Sequence, residues 1–445
     1  MMHRYQPGAG DRQRILQFLG LKSPEELFAA IPQEVRVGEL PLPLGMAEEE
    51  VRRVFREWAA ANVTAEEKVS FLGAGVYRHV VPAVMDAVLS RAEFFTAYTP
   101  YQPEVSQGTL QAIFEFQTYV CLLTEMPVAN ASLYDGATAV VEAVLMAARL
   151  RPEKRKVFVS RLIHPDYLAT LRTYAEAAEL ELLELPWDGA GRTDLSQIHP
   201  EEAVAVVVQS PNVLGVVEDL AAVKKASGEA LSVQVVAEAT SLGLLAPGGR
   251  FGFDVVCGDM QAFGLPPSFG GPHVGFFATR KEYLRQMPGR LVGQTVDADG
   301  QRAFVLTLST REQHIRRAKA TSNICTNHSL MALGVTVVLS LLGKKGVREL
   351  ALASHAKAEY LKKRLASLAP KVQLAFPESP TYNEFLLLHG EPEKLLARLS
   401  EEGILGGVAT SRLASYLPPG VLVAVTEKNT REECDRLVDA LGRLA

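Results

Sequence analysis

Cysteine is scarce in this sequence, with four residues in a chain of 445, and no two of them form a Cys-x-x-Cys pair. This spacing argues against a structural zinc site, and no two histidines have metal-ligand spacing, so we predict no bound metal. Scattered single cysteines indicate reduced thiols in a cytoplasmic protein rather than a disulfide framework. A large excess of one charge is missing too. The formal net charge of −5 gives no basis for binding nucleic acid or a membrane surface.

Long uninterrupted hydrophobic runs are also lacking. The first eight residues hold no apolar core of a signal peptide, so we predict neither an export signal nor a membrane span. What is present is an ordinary globular composition, 48% hydrophobic and 22% charged. A chain of this length can bury a large core without disulfides or metals to support it.

The chain divides into three predicted parts. Residues 1–62 are an arm of short helical pieces separated by prolines, ending in one amphipathic helix with apolar residues at i, i+3, i+4 and i+7. Residues 63–328 alternate β-branched apolar runs with helical segments, which predicts a large, mixed, mostly parallel sheet covered on both faces. Residues 329–445 begin with a long apolar helix and continue as a small α+β domain. The apolar face of the arm's helix consists of Val51, Val54, Phe55 and Trp58.

An aromatic loop over residues 94–108 is the first candidate binding segment. Thr99 and Gln102 each precede a proline, which restricts them to extended conformations. A stiff extended loop can present Tyr98, Tyr101 and Gln102 to a ligand. A packed structural loop is an equally good interpretation of the same residues.

A turn of small residues, Asn130–Ala139, leads into a strong helix pattern and forms a second candidate. Helix N-termini bind anions because their backbone N–H groups are free and the helix dipole points at the ligand. Ordinary capping by Asp135 explains the same pattern without a ligand, and we favour that explanation. His164 follows a predicted strand and is placed either to stack on a bound ring or to serve a structural role.

A basic run, Arg311–Thr326, is the third candidate, and it ends in the hydroxyls of Thr321 and Ser322. Its cationic side chains can dock an acidic partner or fix a phosphate, although such runs are more often a solvated helix face. The cations are Arg311, Arg316, Arg317 and Lys319.

Several long segments together resemble one family, the P-protein (glycine decarboxylase) of the glycine cleavage system, and within it the N-terminal-type α subunit, or subunit 1. The resemblance spans nearly the whole chain. Segments of this length are far more specific than any short motif. The matching segments are Phe71–Tyr77, Thr96–Gly108, Phe114–Thr118, Asn130–Leu133, Met287–Gly293, Thr310–Arg317 and Ala320–Cys325.

The resemblance implies the fold of pyridoxal phosphate (PLP)-dependent transferases, the aspartate aminotransferase fold type I. In this family the lysine that binds PLP as an imine belongs to the β half, and Gln261 stands at its position here. An amide cannot form that imine. The aspartate that pairs with the pyridine nitrogen falls on Ala237, and Glu238 is one position away, on the opposite face of a strand. The resemblance therefore implies that this chain binds no PLP of its own.

The resemblance also implies a partner and a reaction. A homologous β subunit carries PLP in an α2β2 heterotetramer, which decarboxylates glycine and passes the aminomethyl group to the lipoyl group of H-protein. Because dimers of this fold place sites near the subunit interface, we expect this chain to complete the β site from outside. The hypothesis assigns Thr321 or Ser322 to the partner's PLP phosphate. It assigns Tyr98, Tyr101 and Gln102 to the mouth of that site.

Two other functions remain open from the sequence. The chain can be a self-sufficient PLP enzyme that uses another lysine, Lys281 or Lys319, although Lys281 is expected at the far end of the strand that follows Gln261. It can also be a scaffold that stabilises its homologue and touches no substrate.

Overall fold

The computed structural model describes residues 8–38 and 40–444, which form two compact units, Met1–Val63 and Thr64–Ala445. The first unit contains helices α1 (Ala9–Leu19) and α2 (Glu48–Ala60) with short 3-10 turns between them. Helix α2 confirms the predicted amphipathic helix, but its apolar face is not covered within the unit. Phe55 and Trp58 are 59% and 62% exposed, and within the described part of this unit no side chain is buried.

The second unit is built from alternating strands and helices, as the apolar pattern predicts. Its helices are α3 (Ala83–Leu89), α4 (Ala92–Phe95), α5 (Gln107–Thr124), α6 (Gly136–Leu150), α7 (Pro165–Ala177), α8 (Leu220–Ser227), α9 (Gln313–Arg316), α10 (Ser329–Ala366), α11 (Pro392–Glu401) and α12 (Arg431–Leu444). Its strands are β1 (Val69–Ser70), β2 (Val128–Ala129), β3 (Lys156–Ser160), β4 (Glu181–Leu185), β5 (Ala203–Gln209), β6 (Leu231–Val236), β7 (Val255–Asp259), β8 (Gly275–Thr279), β9 (Leu291–Val296), β10 (Arg302–Thr307), β11 (Gln373–Leu374), β12 (Glu384–Leu388), β13 (Ile404–Leu405), β14 (Val408–Ala409) and β15 (Gly420–Ala424).

A seven-stranded mixed sheet with the order β2-β8-β7-β6-β5-β3-β4 forms the centre of this unit. Strands β4, β3, β5, β6 and β7 run parallel, while β8 and β2 are antiparallel to their neighbours. Several of its strands, β5 above all, are nearly continuous in apolar residues because both faces are covered. Cys257 and Phe277 pack into the cluster with α6 and α7, and the adjacent Val256 and Phe276 pack into the cluster with α5 and α10. The predicted large, mostly parallel sheet is confirmed.

The C-terminal residues form a four-stranded antiparallel sheet, β11-β12-β15-β14, whose core includes residues of α10, α11 and α12. The predicted boundaries at 63 and 329 do not separate this packing cleanly. Strand β1 pairs with β13, and Phe71 lies in the C-terminal core. The N-terminal half of α10 packs in turn against the central sheet. The C-terminal core thus includes a residue from before position 77, and α10 packs against both the central sheet and the C-terminal sheet.

Helix α10 corrects the expectation that no run is long enough to span a membrane. By length and composition alone, α10 is long and apolar enough to cross a membrane, and it is the one helix among the described residues of which this is true. Its buried face explains the apolar composition, since Ala332, Val335 and Val338 all pack in the core below the central sheet. Gly343 interrupts the helix with φ 58° and ψ −177°.

A buried imidazolium links the two layers. The His79 ring lies between two carboxylates, 3.0 Å from Glu238 Oε2 through Nε2 and 2.6 Å from Glu427 Oε2 through Nδ1. Burial alone would lower the pKa of His79, but the two carboxylates raise it to about 10. Glu238 follows β6 of the central sheet and Glu427 follows β15 of the C-terminal sheet, so one positive charge holds both sheets together.

Replacing His79 by glutamine is expected to lower the free energy of unfolding by about 3–5 kcal/mol, because two buried carboxylates then lose their cation. Since the pKa of His79 is raised in the folded protein, this contribution is complete below about pH 6.5 and is lost as the pH rises through about 10. Denaturant titration across this range measures it. The control is His199→Gln, because the His199 side chain is 65% exposed. A pH-independent difference between the variants would contradict a buried imidazolium.

Candidate functional site

Gln261 lies in the loop directly after β7, and its side-chain amide is paired with the backbone of a distant loop. Its Oε1 accepts a hydrogen bond from Tyr77 N at 3.0 Å, and its Nε2 donates to Tyr77 O at 3.1 Å. Nε2 also donates to Leu265 O at 2.5 Å. The residue is 2% exposed. The amide is thus fully engaged within the chain and binds the loop at Tyr77 much as a neighbouring strand would.

Ala237 follows β6 and is buried, so it offers only a methyl group at the position where the family resemblance implies a carboxylate. The adjacent Glu238 does not replace it. Its Oε2 pairs with His79, and its Oε1 accepts a hydrogen bond from Thr240 N at 2.9 Å. This carboxylate is therefore paired with His79 and hydrogen-bonded to Thr240 inside the fold.

The N-terminus of α6 is occupied by two carboxylates of the chain itself. Asp135 caps the helix by accepting from Thr138 N at 2.8 Å. Asp259 Oδ2 accepts from Gly136 N at 3.0 Å and lies 3.0 Å from His273 Nδ1. The hydrogen bond to Asp259 raises the pKa of His273. Capping by Asp135 is the explanation that the sequence favoured, and Asp259 adds an internal anion at the helix dipole.

His164 starts α7 and is covered by the same distant loop. Its Nε2 lies 3.0 Å from Ala74 O, and its Nδ1 accepts from Asp166 N at 3.2 Å. Gly75 packs directly on the ring, because a Cβ built on Gly75 would lie 2.9 Å from His164 Cδ2. Burial lowers the pKa of His164. The His164 ring is therefore in contact with the backbone at Ala74 and Gly75.

The loop that makes these contacts is anchored by a buried carboxylate of strand β12, that of Glu384. Glu384 Oε1 accepts from Ala74 N at 2.6 Å, and Glu384 Oε2 accepts from the Tyr77 hydroxyl at 2.9 Å. Burial raises the pKa of Glu384 to about 7. Gly73 is required for the approach, since a Cβ there would lie 2.4 Å from Ala424 Cβ. Residues 73–79, here called the plug loop, therefore fill the space between β6, β7 and α7.

The residues present do not fit a tethered PLP. Gln261, for which the resemblance implies the position of the amine, is an amide that is already paired, and Ala237, for which it implies the position of the carboxylate, has only a methyl group. The helix N-terminus already holds Asp259, and the plug loop lies against His164. Among the described residues, no group of three histidine, cysteine or acidic side chains is arranged to hold a metal ion.

The aromatic loop is exposed, and it is fixed by a residue that the sequence did not single out. Tyr98 is 73% exposed and Tyr101 is 49% exposed, and Gln102 is exposed beside them. Arg290 Nη1 donates to Thr99 Oγ1 at 2.9 Å, and Nη2 donates to the Tyr101 hydroxyl at 3.0 Å. The sequence signal for Arg290 was only its place inside the matching segment Met287–Gly293.

The two hydroxyls of the basic run differ in their surroundings. Ser322 Oγ accepts a hydrogen bond from Ile324 N at 3.0 Å. Burial raises the pKa of Glu142, and a hydrogen bond with the Ser322 hydroxyl lowers that pKa in part. The half-buried Thr321 is tied by its backbone, which donates to Arg311 O at 2.9 Å. No hydrogen bond of the Thr321 hydroxyl is found within the described residues, so Thr321 is the better placed of the two to meet an external group.

A cavity of about 250 Å³ joins the aromatic loop to neighbouring segments. Tyr98 and Thr99 line one side, Pro272 of the segment between β7 and β8 lines another, and Thr326–Met331 close it. Thr321 and Ser322 are not among the lining residues. A larger cavity of about 430 Å³ lies between α5 and α10, but its walls contain no residue of these candidate segments, so we assign the site to the smaller one.

Comparison with known proteins identifies the family. The family model described as glycine cleavage system P-protein matches residues 3–441. The chain belongs to the glycine cleavage system P-protein family. It is 50% identical to the probable glycine dehydrogenase (decarboxylating) subunit 1 of Geobacillus kaustophilus, over 99% of both chains. It is 47% identical to the protein of that name in Halalkalibacterium halodurans, over all of both chains.

Solved structures agree with the fold of this P-protein chain. A crystal structure of glycine decarboxylase (P-protein) in inhibitor-bound form matches with a TM-score of 0.89 and 45% identity over the whole of both chains. A NifS-like protein at 14% identity matches with a TM-score of 0.63, over 84% of this chain and 98% of its own. Glutamate decarboxylase of Lactobacillus brevis, also at 14% identity, has a TM-score of 0.65, with 94% and 97% covered. The expected PLP-dependent transferase fold is confirmed.

A Gln261→Lys substitution is expected not to create a PLP site in this chain. The new ammonium would be buried against the plug loop, and Ala237 would still leave the pyridine nitrogen unpaired. Visible imine absorbance and borohydride reduction after incubation with PLP measure this directly. Gln301→Lys, at an exposed position, is the control for nonspecific imines. Stoichiometric fixation of PLP at residue 261 alone would show that the pocket still accepts the cofactor.

Proposed function

We propose that this chain is the subunit of glycine dehydrogenase (decarboxylating) that carries no PLP, and that it acts with a homologous subunit that does. The pair decarboxylates glycine and transfers the aminomethyl group to the lipoyl group of H-protein. The observation that carries the proposal is the buried, fully paired amide of Gln261 at the position of the imine-forming lysine. The name "subunit 1" of its relatives implies at least one further subunit.

The side chains of this chain would bind and orient groups at the partner's site. When bound in the partner, PLP would supply the electron sink for loss of carbon dioxide. Tyr98 lines the 250 Å³ cavity, and Tyr101 and Gln102 are exposed in the same loop. All three would line the mouth of the partner's site. Thr321 would donate its hydroxyl to the partner's PLP phosphate, with Ser322 as the less available alternative.

The alternatives have weaker support. Lys281 is exposed and lies beyond Thr279, while Gln261 lies beyond Asp259 at the opposite end of the β7–β8 pair. At about 3.3 Å per residue, this separates Lys281 from the pocket by roughly 20 Å. Lys319 is exposed in the basic run. A scaffold without contact to the partner's site would leave two features without a role: the exposed tyrosines, and the Thr321 hydroxyl, for which the described residues offer no hydrogen-bond partner.

The first unit supports an assembly with a partner. Its helix α2 exposes a continuous apolar stripe that includes Phe55 and Trp58, and exposed patches of this kind mark interaction surfaces. We assign this stripe to the partner subunit, in an α2β2 heterotetramer. A cytoplasmic location belongs to the same proposal, and the four free cysteines are in accord with it.

Co-purification tests the division of labour. Each separated chain from the assembled complex is analysed for PLP, and glycine-dependent carbon dioxide release is measured for the complex and for the partner alone. We expect PLP in the partner only, and turnover only when both chains are present. PLP bound stoichiometrically to this chain, or full turnover by the partner alone, would overturn the proposal.

Thr321→Val in the complex is expected to weaken PLP binding by the partner about tenfold or more, because a hydrogen bond to a charged group contributes about 1.5–3 kcal/mol. Fluorescence titration of the apo complex with PLP measures the affinity. Thr173→Val, at an exposed position on α7, is the control. Equal PLP affinity and equal turnover in both variants would remove Thr321 from the partner's site.

Replacing Phe55 and Trp58 together by alanine is expected to weaken subunit association, since the loss of two large apolar side chains at an interface costs several kcal/mol, on the order of 2 kcal/mol or more for each hot-spot residue. Analytical ultracentrifugation measures the dissociation constant of the complex. Arg53→Ala, on the opposite face of α2, is the control. An unchanged dissociation constant would show that this stripe meets something other than the partner.

A further inference from the structure

An arginine with an unusually buried side chain organises the aromatic loop. Arg290 is 4% exposed, although arginines are mostly exposed in proteins. Its guanidinium reaches three groups on two segments. Nη1 donates to Thr99 Oγ1 at 2.9 Å, Nη2 donates to the Tyr101 hydroxyl at 3.0 Å, and Nε lies 3.2 Å from Glu312 Oε2. A planar guanidinium has donors in these three directions, whereas an ammonium or an amide does not.

Tyr101 is held by its ring as well as by its hydroxyl. The Arg290 guanidinium carbon lies 5.3 Å from the centre of the Tyr101 ring, a cation–π distance. The other neighbour of that ring is His314, at 5.5 Å between ring centres, and His314 Nδ1 lies 3.7 Å from Glu312 Oε2. The four side chains close a cycle of contacts, so a tyrosine that is half exposed still has a fixed orientation.

The backbone at Arg290 is fixed independently of this cycle. Ala131 N donates to Arg290 O at 2.9 Å, which ties the residue to the segment before α6. Arg311, 9% exposed, donates to Gly289 O at 3.1 Å and to Met287 O. The guanidinium of Arg290 is therefore presented from a rigid turn, and the basic run that carries Glu312 is held against the same turn.

We propose that Arg290 is a positioning residue for the glycine decarboxylase reaction. It sets the aromatic loop and the basic run against each other, so that Tyr101 and its neighbour Tyr98 meet the partner's site in one defined geometry. Arg290 itself touches no substrate and acts through Tyr101. The inference rests on the proposed function, in which these tyrosines line the mouth of the partner's site. A purely stabilising ion pair with Glu312 is the competing explanation.

The experiment separates positioning from stability in the assembled complex. Arg290→Gln leaves the Glu312 carboxylate buried without its cation, so we expect it to lower the Tm as well as kcat. The double variant Arg290→Gln/Glu312→Gln removes that unpaired charge, and Arg290→Lys retains a cation for it. Both are expected to recover the Tm of the wild type but to keep kcat for glycine decarboxylation lower by about 10- to 100-fold, the cost of a small misplacement. KM for glycine should change far less.

The control is Arg302→Gln in the neighbouring hairpin strand β10. Arg302 is exposed and lies over the Phe304 ring at 5.6 Å, and its substitution is expected to change neither Tm nor kcat. Amide hydrogen exchange over residues 96–102, measured in the same complexes, reports the loop directly. It should be faster in Arg290→Lys and in the double variant than in the wild type.

Three results would overturn the inference, and they are distinguishable. Wild-type kcat together with wild-type Tm and unchanged exchange in the double variant would reduce Arg290 to a member of an ion pair. Unchanged exchange with reduced kcat would show that Arg290 does not act through the loop. Faster exchange with unchanged kcat would show that the loop does not serve the partner's site, and in that case the role proposed above for the tyrosines fails with it.

Discussion

The structure depends on one pairing, that of the Gln261 side-chain amide with both backbone groups of Tyr77. This pairing holds the plug loop against the segment that follows β7. Without it, the backbone N–H and C=O of Tyr77 would be buried without partners, at a cost of about 1–3 kcal/mol per group. A lysine at position 261 could donate to the carbonyl but could not accept from the N–H. Glutamine therefore supplies both the donor and the acceptor that the backbone of Tyr77 requires.

The plug loop also forms ion pairs and hydrogen bonds with buried carboxylates. The loop carries His79 between Glu238 and Glu427, and it presents Ala74 N and the Tyr77 hydroxyl to Glu384. Each partner lies on a different element of the unit. The plug loop therefore joins the central sheet to the C-terminal sheet.

The sequence predicted most of the central sheet because its strands are continuous apolar runs, such as Val204–Val208, and because helix α6 has strong local signals. The sequence also singled out Gln261 and Ala237, because an amide cannot form an imine and a methyl group cannot pair with a pyridine nitrogen. The plug loop was beyond prediction, because Tyr77 and Gln261 are far apart in sequence and glycine-rich segments carry no pattern that specifies a partner. Arg290 was missed for a similar reason. Nothing in the sequence distinguishes an arginine that reaches Thr99 and Glu312 from one that faces water.

Asp259 has a consequence for how the chain matures. Where the start of a long helix relies on a diffusible phosphate group, the stability of the fold varies with the concentration of that ligand. Here the negative charge at Gly136 is part of the polypeptide, so its supply is constant. The start of α6 is therefore stabilised by the chain itself, and the folding of this part of the protein does not depend on the supply of a ligand.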